Sequence, residues 1–152
     1  MRRGAILALG LAAGVACAER PAATVTIVAP QDGATIAGDS VHVELSASGV
    51  EVVPADGEAT AGRAHHHLFL DIDVTPAGEP IPKDTEMQGV KHLGTDTSTW
   101  TFKNVEAGRH RLIAVLARGD HVPLEPWTTD TAFFTVRSVQ PGAKTTPDTA
   151  GG

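Results

Sequence analysis

Ala64-His65-His66-His67-Leu68-Phe69-Leu70-Asp71-Ile72-Asp73 is the stretch on which the fold of this chain turns. Its residues alternate as a β-strand requires, because successive side chains leave a strand on opposite faces. Strand parity places His65 and His67 on one face with Phe69, Asp71 and Asp73. It places His66 on the other with Leu68, Leu70, Ile72 and Val74. The second face reads as core and the first as a polar surface carrying a His-x-His pair. Two imidazoles two residues apart on a rigid strand are a starting point for a metal site.

The same punctuated pattern extends outward on both sides. Residues 24–29 form a first strand closed by the turn Pro30-Gln31-Asp32-Gly33. Val41, Val43, Leu45 and Ala47 alternate with His42, Glu44, Ser46 and Ser48, the signature of a half-buried strand. Residues 49–53 read as a short strand or bend. Residues 65–74 read as the long central strand, and 99–103 as one with Trp100 and Phe102 on one face. Segment 110–117 is apolar on both faces in its middle, and 131–137 closes the domain. No segment has helical periodicity of useful length. About seven short strands bounded by turn residues predict an all-β, immunoglobulin-like β-sandwich over residues 23–139.

Two long connections interrupt this rhythm, at 54–64 and 75–96. Long loops in a compact domain are commonly functional or disordered. A third connection, Arg118-Gly119-Asp120-His121-Val122-Pro123-Leu124-Glu125-Pro126-Trp127, is short and stiffened by proline.

The ends of the chain speak of compartment. Arg2 and Arg3 precede an apolar stretch at 5–16 that is too short to span a membrane, so residues 1–18 are expected to be an export signal. Two processing readings compete. Ala16-Cys17-Ala18 fits cleavage before Glu19. Gly14-Val15-Ala16-Cys17 resembles a lipobox, which would place a lipid on Cys17, the sole route by which a membrane enters this reading. Either way the protein is expected in the periplasm or cell envelope. Residues 140–152 hold nothing to bury and are expected to be a disordered tail.

Cys17 is the only cysteine, so residues 23–139 contain no thiol. Disulfides, thiolate ligands and a His/Cys copper site are excluded there. With Arg2 and Arg3 removed, 10 basic residues face 18 acidic ones. No basic patch suits nucleic acid, and the balance mildly favours cations as ligands.

The order of these residues resembles a bacterial exported family, domain of unknown function 4399. The resemblance is carried by the Pro-x-Asp-Gly turn, Gly49-Val50 leading to Pro54-Ala55, His65-His66-His67-Leu68 with Asp71, Ile81-Pro82 and Gly94-Thr95. It continues through Ala107-Gly108-x-His110-x-Leu112 and Gly119-Asp120-His121-x-Pro123-x-x-Pro126. It spans about residues 25–136. The triple histidine and the Gly-Asp-His-x-Pro block are its specific parts. The chain departs from the pattern at Ala64, where the family has glycine, and near Val122, where a second loop histidine often stands. The resemblance implies an exported domain and brings no activity.

Function therefore rests on the side chains. A chelating pair needs further ligands from loops. His121 is the first candidate and His92 the second, with Asp71, Asp73 and Asp120 as oxygen ligands or as acceptors that orient an imidazole. An imidazole set suits Zn²⁺ or Cu²⁺ better than Mg²⁺ or Ca²⁺. His66 is expected in the core, hydrogen-bonded to backbone. His110 is expected to make a corner hydrogen bond, His42 to be solvated, and Trp127 to cap one end of the sandwich. The motifs of serine hydrolases, zinc proteases and phosphate-binding loops are absent. Two functions compete: a metal-binding envelope domain, and a non-catalytic module that docks an envelope protein or a glycan.

Overall fold

The computed structural model describes residues 21–82 and 88–139. The expected export signal and tail lie outside these residues. All regular structure among them is β: β1 (Thr24–Ala29), β2 (Thr35–Ala37), β3 (Val41–Ser48), β4 (Glu51–Val52), β5 (Arg63–Leu70), β6 (Val90–Leu93), β7 (Thr99–Phe102), β8 (Gly108–Ala117) and β9 (Thr129–Arg137). Nine strands replace the expected seven. The two that periodicity missed, β2 and β6, are three and four residues long, too short for alternation to register.

The strands form two sheets. One is antiparallel, in the order β1-β3-β7. The other runs β2-β9-β8-β5-β4, and β6 also pairs with β5. The outer edge of β5 is shared. β4 pairs in parallel with Arg63 and Ala64, and β6 pairs antiparallel with residues 66–69. With β8 along its other edge, β5 is a central strand. Between the sheets lie Val25, Ile27, Val41, Val43, Leu45, Leu68, Leu112, Leu116 and Phe134, among others. These are the inward positions of alternating strands, as in any two-layer sandwich.

The larger sheet is buried on its other face as well. Phe69, Ile81, Val90, Ile113, Val115 and Ala117 form a second apolar cluster there, with Ile72 and Val74 packed against it. This corrects the expectation of a polar surface, because His65 and His67 share that face and are wholly buried. Parity shows which residues share a face. It does not show that a loop returns to cover them, as the segment carrying Ile72, Val74 and Ile81 does here.

The central strand also stops earlier than expected. Asp71 adopts φ +61° and turns the chain out of the sheet, so Asp73 does not continue the histidine face. The Asp71 carboxylate accepts hydrogen bonds from the His110 ring (2.7 Å) and the Arg111 backbone (2.8 Å). Asp73 accepts one from the Arg111 guanidinium.

Candidate metal centre

Four imidazoles meet at one end of this second buried face. His65 and His67 come from β5, two residues apart on one side of the sheet. His92 comes from β6, directly opposite His67 in the antiparallel register. On β8 the residues opposite His65 and His67 are Ala117 and Val115. These are small side chains that leave room for two rings.

His121 arrives from the turn that follows β8. The Arg118 N–H donates to Val122 O (2.9 Å), and the His121 N–H donates to Arg118 O (2.8 Å). The turn places His121 at φ +67°, a left-handed conformation uncommon outside glycine. Such a residue costs on the order of 1–3 kcal/mol and persists where its surroundings enforce it. Here they do: Ile81 N–H donates to His121 O (3.0 Å), and the Asp120 carboxylate is gripped at two points by Arg118 (3.1 and 2.8 Å).

The four rings pack closely. Ring centroids are 4.8 Å apart for His65–His67, His65–His92 and His67–His92. His121 lies 4.6 Å from His92, 5.1 Å from His65 and 5.5 Å from His67. One potential ligand atom from each residue lies within 4.8 Å of all the others. A tetrahedral zinc site with bonds of about 2.0–2.1 Å places its nitrogens about 3.3 Å apart. The pocket is therefore slightly looser than a closed site and needs only a small contraction.

A roof crosses the cluster. Ala55 N–H donates to Gly94 O (3.2 Å) and Gly57 N–H to Gly119 O (3.0 Å), so segment 53–62 ties the β6 end to the His121 turn. Two glycines permit this packing. A Cβ on Gly119 would run into the Asp56 carboxylate and the Glu58 carbonyl, and one on Gly94 would run into the His92 ring.

His65 and His67 are held as neutral imidazoles. Burial, reinforced by His92 and His121, lowers the His65 pKa to about 3. Burial and the other rings lower that of His67 to about 2. Their Nε2 atoms are 2.9 Å apart, so one ring donates its N–H to the lone pair of the other. Their Nδ1 atoms are buried with no hydrogen-bond partner. A buried polar atom left in this state costs about 1–3 kcal/mol. An ion bound by both Nε2 lone pairs would replace the sharing of one proton between them, so the donor set fits a metal. Metal-ligating histidines commonly donate their other N–H to an acceptor, and at His65 and His67 that acceptor is missing.

Of the candidates named from sequence, His65, His67, His92 and His121 converge. Asp120 does not join them. Its carboxylate is held below the usual range by the hydrogen bond from Arg118, and it also accepts from Val122 N–H. It shapes the turn rather than offering a ligand. Asp71 and Asp73 lie at the other end of β5. His66 is fully buried, as expected, but neither ring nitrogen has a hydrogen-bond partner, contrary to expectation. His110 makes its corner: Nδ1 to Asp71 and Nε2 to Glu106 O (2.8 Å). His92 was readable as a candidate but not as a strand residue. The signal was Val90-x-His92, a single alternation within a strand of four residues.

Among solved structures, the chain is similar to the fibronectin(III)-like modules of Clostridium thermocellum CbhA. Identity there is 14%, covering 77% of this chain and 100% of that one, with a TM-score of 0.45. It is also similar to the PKD domain of human KIAA0319, at 12% identity over 90% of this chain and 100% of that one, with a TM-score of 0.42. No curated protein matches it. A family model does match, over residues 43–137, which hold β5, β6, the His121 turn and all four converging histidines, and the chain accordingly belongs to the family described as Domain of unknown function (DUF4399).

Proposed function

We propose that this domain binds one transition-metal ion, zinc or copper, through His65, His67, His92 and His121, and that it does so in the cell envelope. The observation that carries the reading is the convergence of four imidazoles from two strands and a turn, His65 and His67 buried and His92 and His121 half-buried, with mutual ligand-atom distances within 4.8 Å. Two of these rings, His65 and His67, are wholly buried with Nδ1 atoms that have no hydrogen-bond partner, a state that costs free energy unless something offsets it. With four protein ligands the ion has no open position for substrate, the mark of holding rather than turning over. Storage or delivery of the ion is the role that follows.

The location is inferred from residues 1–18 alone. Fractionation of cells producing the full chain tests it: export predicts an envelope protein, and Cys17→Ala predicts release from membranes if Cys17 is lipidated. The metal is tested by elemental analysis of the purified protein. One equivalent of zinc or copper, lost in His67→Ala, is the expected result. Metal-free protein that takes up neither ion on incubation would remove the reading.

A second reading, an interaction module, draws on Trp127, which is 46% exposed in the loop between β8 and β9. It would work through that loop, since His65 and His67 are too deep to touch a partner.

A further inference from the structure

Two independent features of the histidine pocket bear on which ion it holds. The first is shape. The six separations among the four ring centroids run only from 4.6 to 5.5 Å. Four points with nearly equal mutual separations form a tetrahedron. In a square the diagonals exceed the sides by about two-fifths, and the square or tetragonal arrangement is the one that Cu²⁺ and Ni²⁺ prefer. Three corners of the tetrahedron stand on β5 and β6, whose register is fixed by backbone pairing at His66–Leu93 and His67–His92. Flattening the site would work against that ladder.

The second feature is charge. All four converging ligands are imidazoles, with no carboxylate among them. The nearby acids are paired with arginines, Asp120 with Arg118 and Asp56 with Arg63 at 3.1 Å, although the Asp56 charge still reaches His65. The face that holds the rings is otherwise Phe69, Ile81, Val90, Ile113, Val115 and Ala117. Among the described residues, then, nothing in the ligand set neutralises the ion. The Born cost of burying an ion grows as the square of its charge, so a divalent ion costs about four times what a monovalent one does in the same pocket.

We infer that the site is built for cuprous copper. Cu⁺ accepts tetrahedral nitrogen ligation and brings a single charge. Cu²⁺ is disfavoured by both shape and charge, and Zn²⁺ by charge. This inference rests on the metal-centre reading above and adds to it the valence of the ion.

The full chain is titrated anaerobically with Cu⁺ under ascorbate against a chromophoric Cu⁺ chelator. Separate titrations use Cu²⁺ and Zn²⁺ with competitors of their own. The expected result is an affinity for Cu⁺ at least about 100-fold above that for either divalent ion. His92→Ala is expected to lose the Cu⁺ affinity while keeping the far-ultraviolet spectrum of the folded sheet. Cu²⁺ bound as tightly as Cu⁺, with a tetragonal paramagnetic spectrum, overturns the inference and leaves a metal centre standing. Zn²⁺ bound more tightly than Cu⁺ does the same through the charge argument. A folded wild-type protein that binds none of the three ions overturns the inference and the metal-centre reading together.

Discussion

His110 and the four-histidine pocket put the same side chain into two opposite situations on one sheet. At the β8 corner, both ring nitrogens of His110 are satisfied, by Asp71 and by Glu106 O. Burial is the largest single influence and lowers its pKa, but the hydrogen bonds to Asp71 and Glu106 O and the charges of those two acids together outweigh it, and the net shift is upward. In the pocket, His65 and His67 have each other at 2.9 Å and no partner at Nδ1. There burial dominates and the charged forms are suppressed. The difference teaches how to read a buried histidine. One supplied with a carboxylate and a carbonyl is a structural corner. A buried pair supplied only with each other, as His65 and His67 are, holds lone pairs that a cation would satisfy.

The largest effect that would break this contrast is the loss of a pocket imidazole. His65→Ala, His67→Ala, His92→Ala and His121→Ala should each lower metal affinity by more than about 100-fold, since even residues that merely orient a ligand are worth 10–100-fold. His110→Gln should leave affinity unchanged. Metal at about 1,000 times its dissociation constant should add about 4 kcal/mol to wild-type stability, read as a rise in melting temperature. Equal affinity losses at His110 and at the pocket would erase the distinction.

Acid should separate the two regions next. His65, His66 and His67 have folded pKa values of about 3, 4 and 2, against about 6.5 unfolded. Between those limits the unfolded chain binds protons that the folded apo chain does not. Their contribution is intact above about pH 6.5 and is lost as pH falls below it. His110 has the opposite sign. Its contribution is full below the unfolded value of about 6.5 and is lost as pH rises through the raised folded value. Urea midpoints of the apo protein should therefore show a steep acid limb and a shallow alkaline one. His110→Gln should flatten the alkaline limb alone. A flat profile between pH 7 and 5 would contradict the burial of the neutral rings.

How far the sequence carried this reading depends on what each residue reports. Parity along 65–70 paired His65 with His67 and set His66 among the leucines. The stiffness of Gly119-Asp120-His121-Val122-Pro123 marked His121. These are local signals, and they survived. Burial of the histidine face did not show, because it depends on Ile72, Val74 and Ile81 returning over the sheet from a loop. Asp71 misled through its backbone: φ +61° ends the strand and redirects Asp71 and Asp73 to His110 and Arg111. Nor did the roof at 53–62 show, since it is held by backbone hydrogen bonds to Gly94 and Gly119 that leave no periodicity.

Gly94 offers a smaller and sharper test, because it touches the pocket without being a ligand. A Cβ there would collide with the His92 ring. Gly94→Ala should push that ring out of place and lower metal affinity by about 10–100-fold, in the range found for residues that orient ligands. His92 remains chemically present, so the loss would be geometric. Unchanged affinity would mean that the ring has room to step aside, and that β6 positions His92 less tightly than the packing implies.

The smallest effect concerns His66, which lies between the two regions and belongs to neither. It sits opposite Leu93 on β6 and Leu116 on β8, fully buried, with both ring nitrogens unpartnered. If it is only core, its polarity is a burden and its volume an asset. His66→Ala should cost about 2 kcal/mol by emptying a packed position. His66→Leu keeps most of the volume and removes two unsatisfied atoms, each worth about 1–3 kcal/mol when buried. Imperfect repacking offsets part of that gain, because a reshaped side chain in a dense core costs up to about 1.5 kcal/mol. The expected net is a stabilisation of about 1 kcal/mol, measured as a higher urea midpoint at unchanged slope. Metal affinity should be the same in both variants, because parity turns His66 away from His65 and His67. Loss of metal in the stable leucine variant would place His66 among the ligands and undo the two-faced reading of β5.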